Sequence, residues 1–502
     1  MNIGTGSVIA LITLLQGCAS VNRYDWGEGT ANFAPAERLA NAGGNYAHWQ
    51  AIGRVEVESG MTCSGTLIDT REPGAVSQPA YVLTSGHCTH PEIGNNEIIV
   101  NQPAKGRVTF NYFFDTQPQS RSYTVSRVGW STLRGQDLSI IELEQPLEQL
   151  TRDGIQPLKL ARTPLVSEDD ILITGAPMNG FIQRMACKQE HSAAIIEGPW
   201  RWVGQLSNRC LDVVSGLSGS PLLARYTNEI VGVLGTTTRG SDRNRCDKGA
   251  PCEVVAGQVN KRSNTNYAST TDGLDACFAK GHFNPRLGGC SLGENWSFPG
   301  SSQNSDYIKL ERDEHGQVVP WRWLQTFTTT APYYRYRFTR TLDECQNLDG
   351  YSQVRTAAPD ADNQLSHELK DGSGLYFLCL IGQQRPTDVP KQWAGRTPSV
   401  YWRWLMEAPA PLKPAYKVEG VGGDEYDIRV FPVSPDLDPA RFQYKYGQPG
   451  SINCNDGLGF QRVSPSTGVF HVSIANGRQN VCLKGADLAG NPGPTIEFLI
   501  PQ

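Results

Sequence analysis

Tyr81-Val82-Leu83-Thr84-Ser85-Gly86-His87-Cys88 is a short apolar run that ends in a Ser-Gly break and delivers a histidine beside a cysteine. Runs of the same length lie on both sides of it, at residues 51–57, 66–68, 97–100, 107–114, 137–143, 171–174, 195–196 and 230–235. Turn residues separate them, and no ten-residue helical repeat intervenes. Many short strands without helices between them predict an all-β chain built from antiparallel barrels or sandwiches. Composition agrees. Of 502 residues, 39% are apolar and 19% charged, which is enough apolar material for real cores and excludes a disordered chain. The length suggests two to four domains. A net charge of −5 offers no electrostatic footprint for nucleic acid. Gly 52 and Pro 32 fit a turn-rich fold. After the N-terminus no apolar run is long enough to predict a transmembrane helix.

Three islands carry candidate chemistry. The first is the run that ends in His87. The second is Gly135-Gln136-Asp137-Leu138-Ser139-Ile140-Ile141, an aspartate opening an apolar strand. The third is Ser215-Gly216-Leu217-Ser218-Gly219-Ser220-Pro221, a serine flanked by glycines. Hydrolysis of an amide at neutral pH needs a nucleophile, a base to take its proton and a group to orient the base. It also needs donors aimed at the developing oxyanion.

In order and spacing these islands resemble those of the trypsin-like, chymotrypsin-fold serine proteases. The resemblance covers residues 47–256 and includes Cys63 on the strand before His87-Cys88. It implies a double six-stranded antiparallel β-barrel. It also implies Ser218 as nucleophile, His87 as base, Asp137 as the group that orients His87, and the amides of Gly216 and Ser218 as the oxyanion hole. Two positions depart from the family pattern. Leu217 stands where cleavage-activated members carry an acid that pairs with a new amino terminus, so no activating cut is expected. Ser220 replaces a glycine, as in members similar to the bacterial glutamyl-endopeptidase branch. Asp212, six residues before Ser218, sits where Arg/Lys-cleaving members place an acid at the pocket floor, which implies substrate binding and Arg/Lys preference. The reading is an exported serine endopeptidase acting on proteins or peptides; the alternative is a catalytically idle protease fold used for adhesion or binding. No cofactor or metal is expected, since His90, His191 and His282 form no spaced set. Pro199-Trp200-Arg201-Trp202 is a candidate cleft lining, read in preference as a packed or cation–π surface pair.

Residues 1–17 read as a signal peptide, although no Lys or Arg lies between Met1 and Val8. Leu15-Gln16-Gly17-Cys18 resembles the lipobox of bacterial lipoproteins, which implies lipidation of Cys18 and an outer-membrane, cell-surface or periplasmic location in a Gram-negative bacterium. Residues 18–46 read as a tether. Setting Cys18 aside from the 13 cysteines leaves Cys63, Cys88, Cys187, Cys210, Cys246, Cys252, Cys277, Cys290, Cys345, Cys379, Cys454 and Cys482. In an exported chain this even number reads as a disulfide framework. The protease domain is placed at 47–300, with residues 258–302 as a disulfide-closed appendix. Beyond it, Tyr334, Tyr336 and Phe338 alternate with Arg335 and Arg337, and Phe442, Tyr444 and Tyr446 alternate with Gln443 and Lys445. Each is a period-2 strand followed by a cysteine. With Ala486-Asp487-Leu488-Ala489-Gly490-Asn491 the repeat resembles bacterial immunoglobulin-like modules, which implies two β-sandwiches at 303–408 and 413–502 and a protein or envelope partner for them. A proline-rich spacer at 407–414 separates the two.

Overall fold

Each of the nine apolar runs named above contributes to a strand in the structure, a computed structural model that describes residues 24–58, 60–73, 77–94, 97–238, 246–300, 306–358, 362–391, 394–408, 410, 412–433 and 437–501. The expected signal peptide and Cys18 lie outside the described residues. No helix among the described residues is long and apolar enough to cross a membrane.

Six strands close the first barrel: β1 (Ile52–Val57), β2 (Cys63–Leu67), β3 (Pro79–Thr84), β4 (Gly106–Phe110), β5 (Arg121–Thr132) and β6 (Leu138–Pro146). Their order around the ring is β5-β4-β1-β2-β3-β6, and β6 pairs back with β5. Ile52, Val55, Val82, Phe110, Trp130 and Ile140 fill the interior. The second barrel uses β7 (Asp170–Gly175), β8 (Gln183–Glu197), β9 (Trp200–Asn208), β10 (Pro221–Ala224), β11 (Ile230–Thr237) and β12 (Asn266–Thr270). Here the ring runs β9-β12-β11-β10-β7-β8 and closes through β8–β9. Closure leaves neither sheet with a free edge among these strands.

Two boundaries differ from the sequence reading. Residues 258–302 are not an appendix throughout, because β12 completes the second barrel. Residues 274–292 cross to the first barrel, where Leu274 and the Cys277–Cys290 disulfide are buried in its core. Phe278 and Phe283 pack on the Tyr81 ring there.

The tether reading also fails from residue 24 onward. This segment is a strap on the second barrel. Leu39 is fully buried, Phe33 N–H donates to the Ala186 carbonyl at 2.8 Å, and Glu37–Arg38 pairs with β8. Its acids serve two arginines of that barrel. Arg225 forks onto both carboxylate oxygens of Asp25 at 2.7 and 2.8 Å. Buried Arg184 reaches Glu37 at 2.6 Å and Glu28 at 3.4 Å. The Arg225 guanidinium holds the Asp25 carboxyl down at about 2, against an opposing push from partial burial.

The twelve cysteines pair with their sequence neighbours: 63–88, 187–210, 246–252, 277–290, 345–379 and 454–482. The C-terminal residues form two units of facing sheets. In the first, a five-stranded sheet and the pair Trp321–Phe327/Asn363–Leu369 share a core of Trp323, Phe327, Leu378 and Leu405. In the second, three- and four-stranded sheets enclose Ile428, Phe442, Phe470 and Val481. The first unit braces the β8–β9 hairpin. Ala194, Ile196 and Val203 share one apolar cluster with Leu342, Phe377 and Val400, and Gly204 N–H donates to Asp343 at 3.1 Å.

Candidate active site

The end of β3 cannot continue as a strand through Ser85-Gly86. The chain turns once as a 3₁₀ helix, Gly86–Cys88, and projects His87 into the cleft between the barrels. Gly86 is required there, because a Cβ would lie 2.2 Å from the Thr132 carbonyl oxygen. The Cys63–Cys88 disulfide fixes this turn to β2. Asp137 enters from the start of β6 and is fully buried. Its Oδ2 lies 2.7 Å from His87 Nδ1, and its Oδ1 accepts the His87 backbone N–H at 3.0 Å. The Asp137 backbone N–H donates in turn to Ser269 Oγ of β12 at 3.0 Å, so the second barrel helps to fix this residue's backbone. Burial pulls the His87 pKa down, but the charge and hydrogen bond of Asp137 prevail, and the imidazole ends above its ordinary 6.5.

Ser218 stands in the loop before β10. The loop is stitched to the first barrel: Ser64 N–H donates to the Ser218 carbonyl at 2.8 Å, and Ser64 Oγ donates to the Gly216 carbonyl at 3.0 Å. Gly216 has a φ of +92°, and a Cβ there would lie 2.2 Å from the Met178 nitrogen. Only glycine meets both demands. Neither the Gly216 nor the Ser218 amide has a protein acceptor among the described residues, and both residues line the cleft. Ser218 Oγ donates to the Gly235 carbonyl at 3.3 Å and makes no hydrogen bond to His87. Such contacts are commonly loose before substrate binds. Leu217 packs in the second barrel's core with no exposure. Ser220 fills the space that a side chain on Gly175 would need.

Asp212 is not where the resemblance implied. Its φ is +59°, and its Oδ2 accepts the Ala36 N–H of the strap at 2.8 Å. It does not line the cleft, so the expected acid at a pocket floor is absent from that position. The cleft, about 640 Å³, is lined on this side by Val213, Val214 and Ser215.

One end of the cleft is built by Trp200, Trp202, Glu197 and Lys248. Trp200 and Trp202, expected to be a packed pair, are stacked at 5.8 Å but also form the cleft wall. Their indole N–H groups donate to the Ile93 and Leu133 carbonyls of the first barrel, which pins the β8–β9 hairpin across the gap. Glu197, at the hairpin's tip, and Lys248 complete this end. Of these, only the Pro-Trp-Arg-Trp stretch left a mark in the sequence. Cys63, His87 and Cys88 cluster at metal-ligand distances, but the two sulfurs are bonded to each other and offer no thiolate.

Residues 63–233 match the model of the trypsin-like peptidase domain. No curated protein matches the chain. Among solved structures, the chain is similar to the active form of the Rv3671c protease of M. tuberculosis at 15% identity, over 48% of this chain and 86% of that one, with a TM-score of 0.29. It is similar to the MamO protease domain of Magnetospirillum magneticum at 15% identity, over 44% and 93%, with a TM-score of 0.29. A thermostable serine protease, AL20, from an extremophilic microorganism aligns at 13% identity over 45% and 92%, with a TM-score of 0.30. Residues 63–233 thus both match the trypsin-like peptidase domain and fall within the paired six-stranded barrels.

Proposed function

We propose that the protein is a lipid-anchored serine endopeptidase that cleaves protein or peptide substrates through an acyl-enzyme on Ser218. One observation carries the reading: a buried carboxylate, Asp137, grips His87 by two hydrogen bonds in the cleft that Ser218 also lines. In this reading Ser218 attacks the scissile carbonyl, and His87 takes its proton and returns it to the leaving amine. Asp137 stabilises the imidazolium, and the Gly216 and Ser218 amides receive the oxyanion. A fluorophosphonate probe should label Ser218 and no other serine. A folded protein that stays unlabelled would favour the idle binding fold instead.

The pH profile follows from His87. Only the neutral imidazole can accept a proton, and its pKa lies above 6.5. kcat/KM is therefore expected to fall as pH drops through an apparent pKa above 6.5. Asp137→Asn should move that limb to lower pH and cost roughly 10⁴ in kcat. An acid limb that stays in place in Asp137→Asn would remove Asp137 from this role.

Buried Leu217 cannot form the activating ion pair, and the Ala36 amide on Asp212 already supports the nucleophile loop from the strap. Activity is expected without internal cleavage. The anchor rests on the lipobox resemblance at Cys18, and Ala19 after it suggests the outer membrane of a Gram-negative bacterium. Cys18→Ser should move the protein from the detergent phase to the aqueous phase; unchanged partitioning would refute the anchor.

A further inference from the structure

The cleft holds a carboxylate that the proposed mechanism does not use. Glu197 is 4% exposed, at the tip of the β8–β9 hairpin. Its Oε1 accepts the Gly249 N–H at 2.6 Å. Its Oε2 is buried, and apart from the neighbouring Thr236 hydroxyl it has no donor. A carboxylate oxygen kept from water without a partner is costly, and so rare unless something else supplies the partner. Beside it stands the stacked Trp200–Trp202 pair. Aromatic faces attract cations, and the Lys248 ammonium already sits 5.2 Å from the Trp200 ring centroid. Lys248 is exposed at the rim and forms no ion pair with Glu197, so the carboxylate's charge is not cancelled from within. The other titratable groups facing Glu197 are His87, from the turn after β3, and Asp137, from the start of β6. Among the described residues lining the cleft, only His87, Glu197 and Lys248 can carry charge.

We propose that Glu197 and the Trp200 face form a subsite for a basic substrate side chain, so that this peptidase selects lysine or arginine at one fixed position near the scissile bond. The inference rests on the peptidase reading above. It assigns selectivity to a residue remote in sequence from Asp212. The substrate's ammonium or guanidinium takes the place over Trp200 that Lys248 occupies, and gives Oε2 a further donor. Burial pushes the Glu197 carboxyl up to about 7, more than Gly249, Thr236 and His87 pull it down. The carboxylate form, and with it the selection for a base, therefore grows as pH rises through about 7.

The test is a set of quenched fluorescent peptides in which each position in turn carries Lys, Arg, citrulline, norleucine or Glu. The wild-type protein should prefer Lys or Arg to citrulline at one position by about tenfold or more at pH 8, and by less at pH 6; a tenfold ratio corresponds to about 1.4 kcal/mol. Glu197→Gln should bring that ratio close to one, and Glu197→Lys should shift preference toward Glu at the same position. The wild-type ratio and its pH trend need no variant, so they decide the matter even if a variant misfolds. Cleavage with no preference for a base at any position, or a preference that survives Glu197→Gln, would overturn the subsite and leave the peptidase intact. No cleavage of any peptide together with no probe labelling at Ser218 would overturn both.

Discussion

Ser218→Ala is expected to lower kcat/KM by roughly four to six powers of ten and to leave the unfolding midpoint almost unchanged. The two halves of this result have separate causes. In the proposed mechanism the Ser218 hydroxyl forms the acyl bond once His87 takes its proton. In the resting molecule it makes a single hydrogen bond, 3.3 Å to the Gly235 carbonyl, from a half-buried position. Losing a long, partly solvated bond costs no more than about 0.5–1 kcal/mol. The loop itself is held by backbone groups, through Ser64 to Ser218 and Gly219 to Leu234, and these survive the substitution. Peptide cleavage followed over hours, beside a circular-dichroism melt, would measure both. More than about a hundredth of wild-type activity would remove Ser218 from the nucleophile's role.

The second large effect lies one residue further on. Gly219 has a φ of +83°, and a Cβ there would lie 2.1 Å from the Ser64 carbonyl oxygen and 2.2 Å from Thr84 Oγ1. Thr84 Oγ1 donates to that same carbonyl at 2.7 Å, and Gly219 N–H donates to Leu234 at 2.7 Å. The backbone is thus clamped from both barrels and has nowhere to retreat. Gly219→Ala is expected to cost more than about 4 kcal/mol, through backbone strain and overpacking together. The soluble yield should collapse, or the barrels should part and probe labelling be lost. Gly154→Ala is the control. Its φ is +93°, but nothing lies within 4 Å of the added methyl, so only the left-handed backbone is penalised, by about 1–2 kcal/mol. Equal losses in the two variants would show that crowding at Gly219 matters little.

The contrast between the residues that the sequence singled out and those it passed over has a physical basis. His87, Asp137 and Ser218 each sit where a strand begins or ends at a turn, and turn chemistry is local. The strand runs were legible for the same reason, but in the strand Gln443–Gly447 the alternation misleads, since Lys445 is buried and Tyr446 exposed. Glu197 and Trp200 acquire their meaning only when β8 and β9 fold back across the gap and the indoles bond to carbonyls more than sixty residues away. Nothing local announces that. Asp212 failed for a related reason. Its spacing from Ser218 was right, but a left-handed backbone and the Ala36 amide commit its carboxylate elsewhere. The strap was misread because its composition is polar. Its acids are matched to Arg184 and Arg225, nearly 150 to 200 residues away, and composition does not record distant partners.

The strap also sets a distance. Packed structure is in place by Asp25, whose carboxylate is locked onto Arg225. If Cys18 carries lipid, as proposed, the chain from there to Asp25 is seven residues, and a fully extended chain covers at most ~3.3–3.6 Å per residue. The second barrel then cannot rise more than about 25 Å above the lipid surface. So short a leash would make the proposed enzyme a two-dimensional reagent. Its encounters are governed by lateral diffusion and by which substrates present a cleavable segment close to the membrane plane, rather than by their concentration in bulk solution. Lengthening the chain between Cys18 and Asp25 with a Gly/Ser insert should widen the set of proteins cut in the envelope while leaving cleavage of a short soluble peptide as it was.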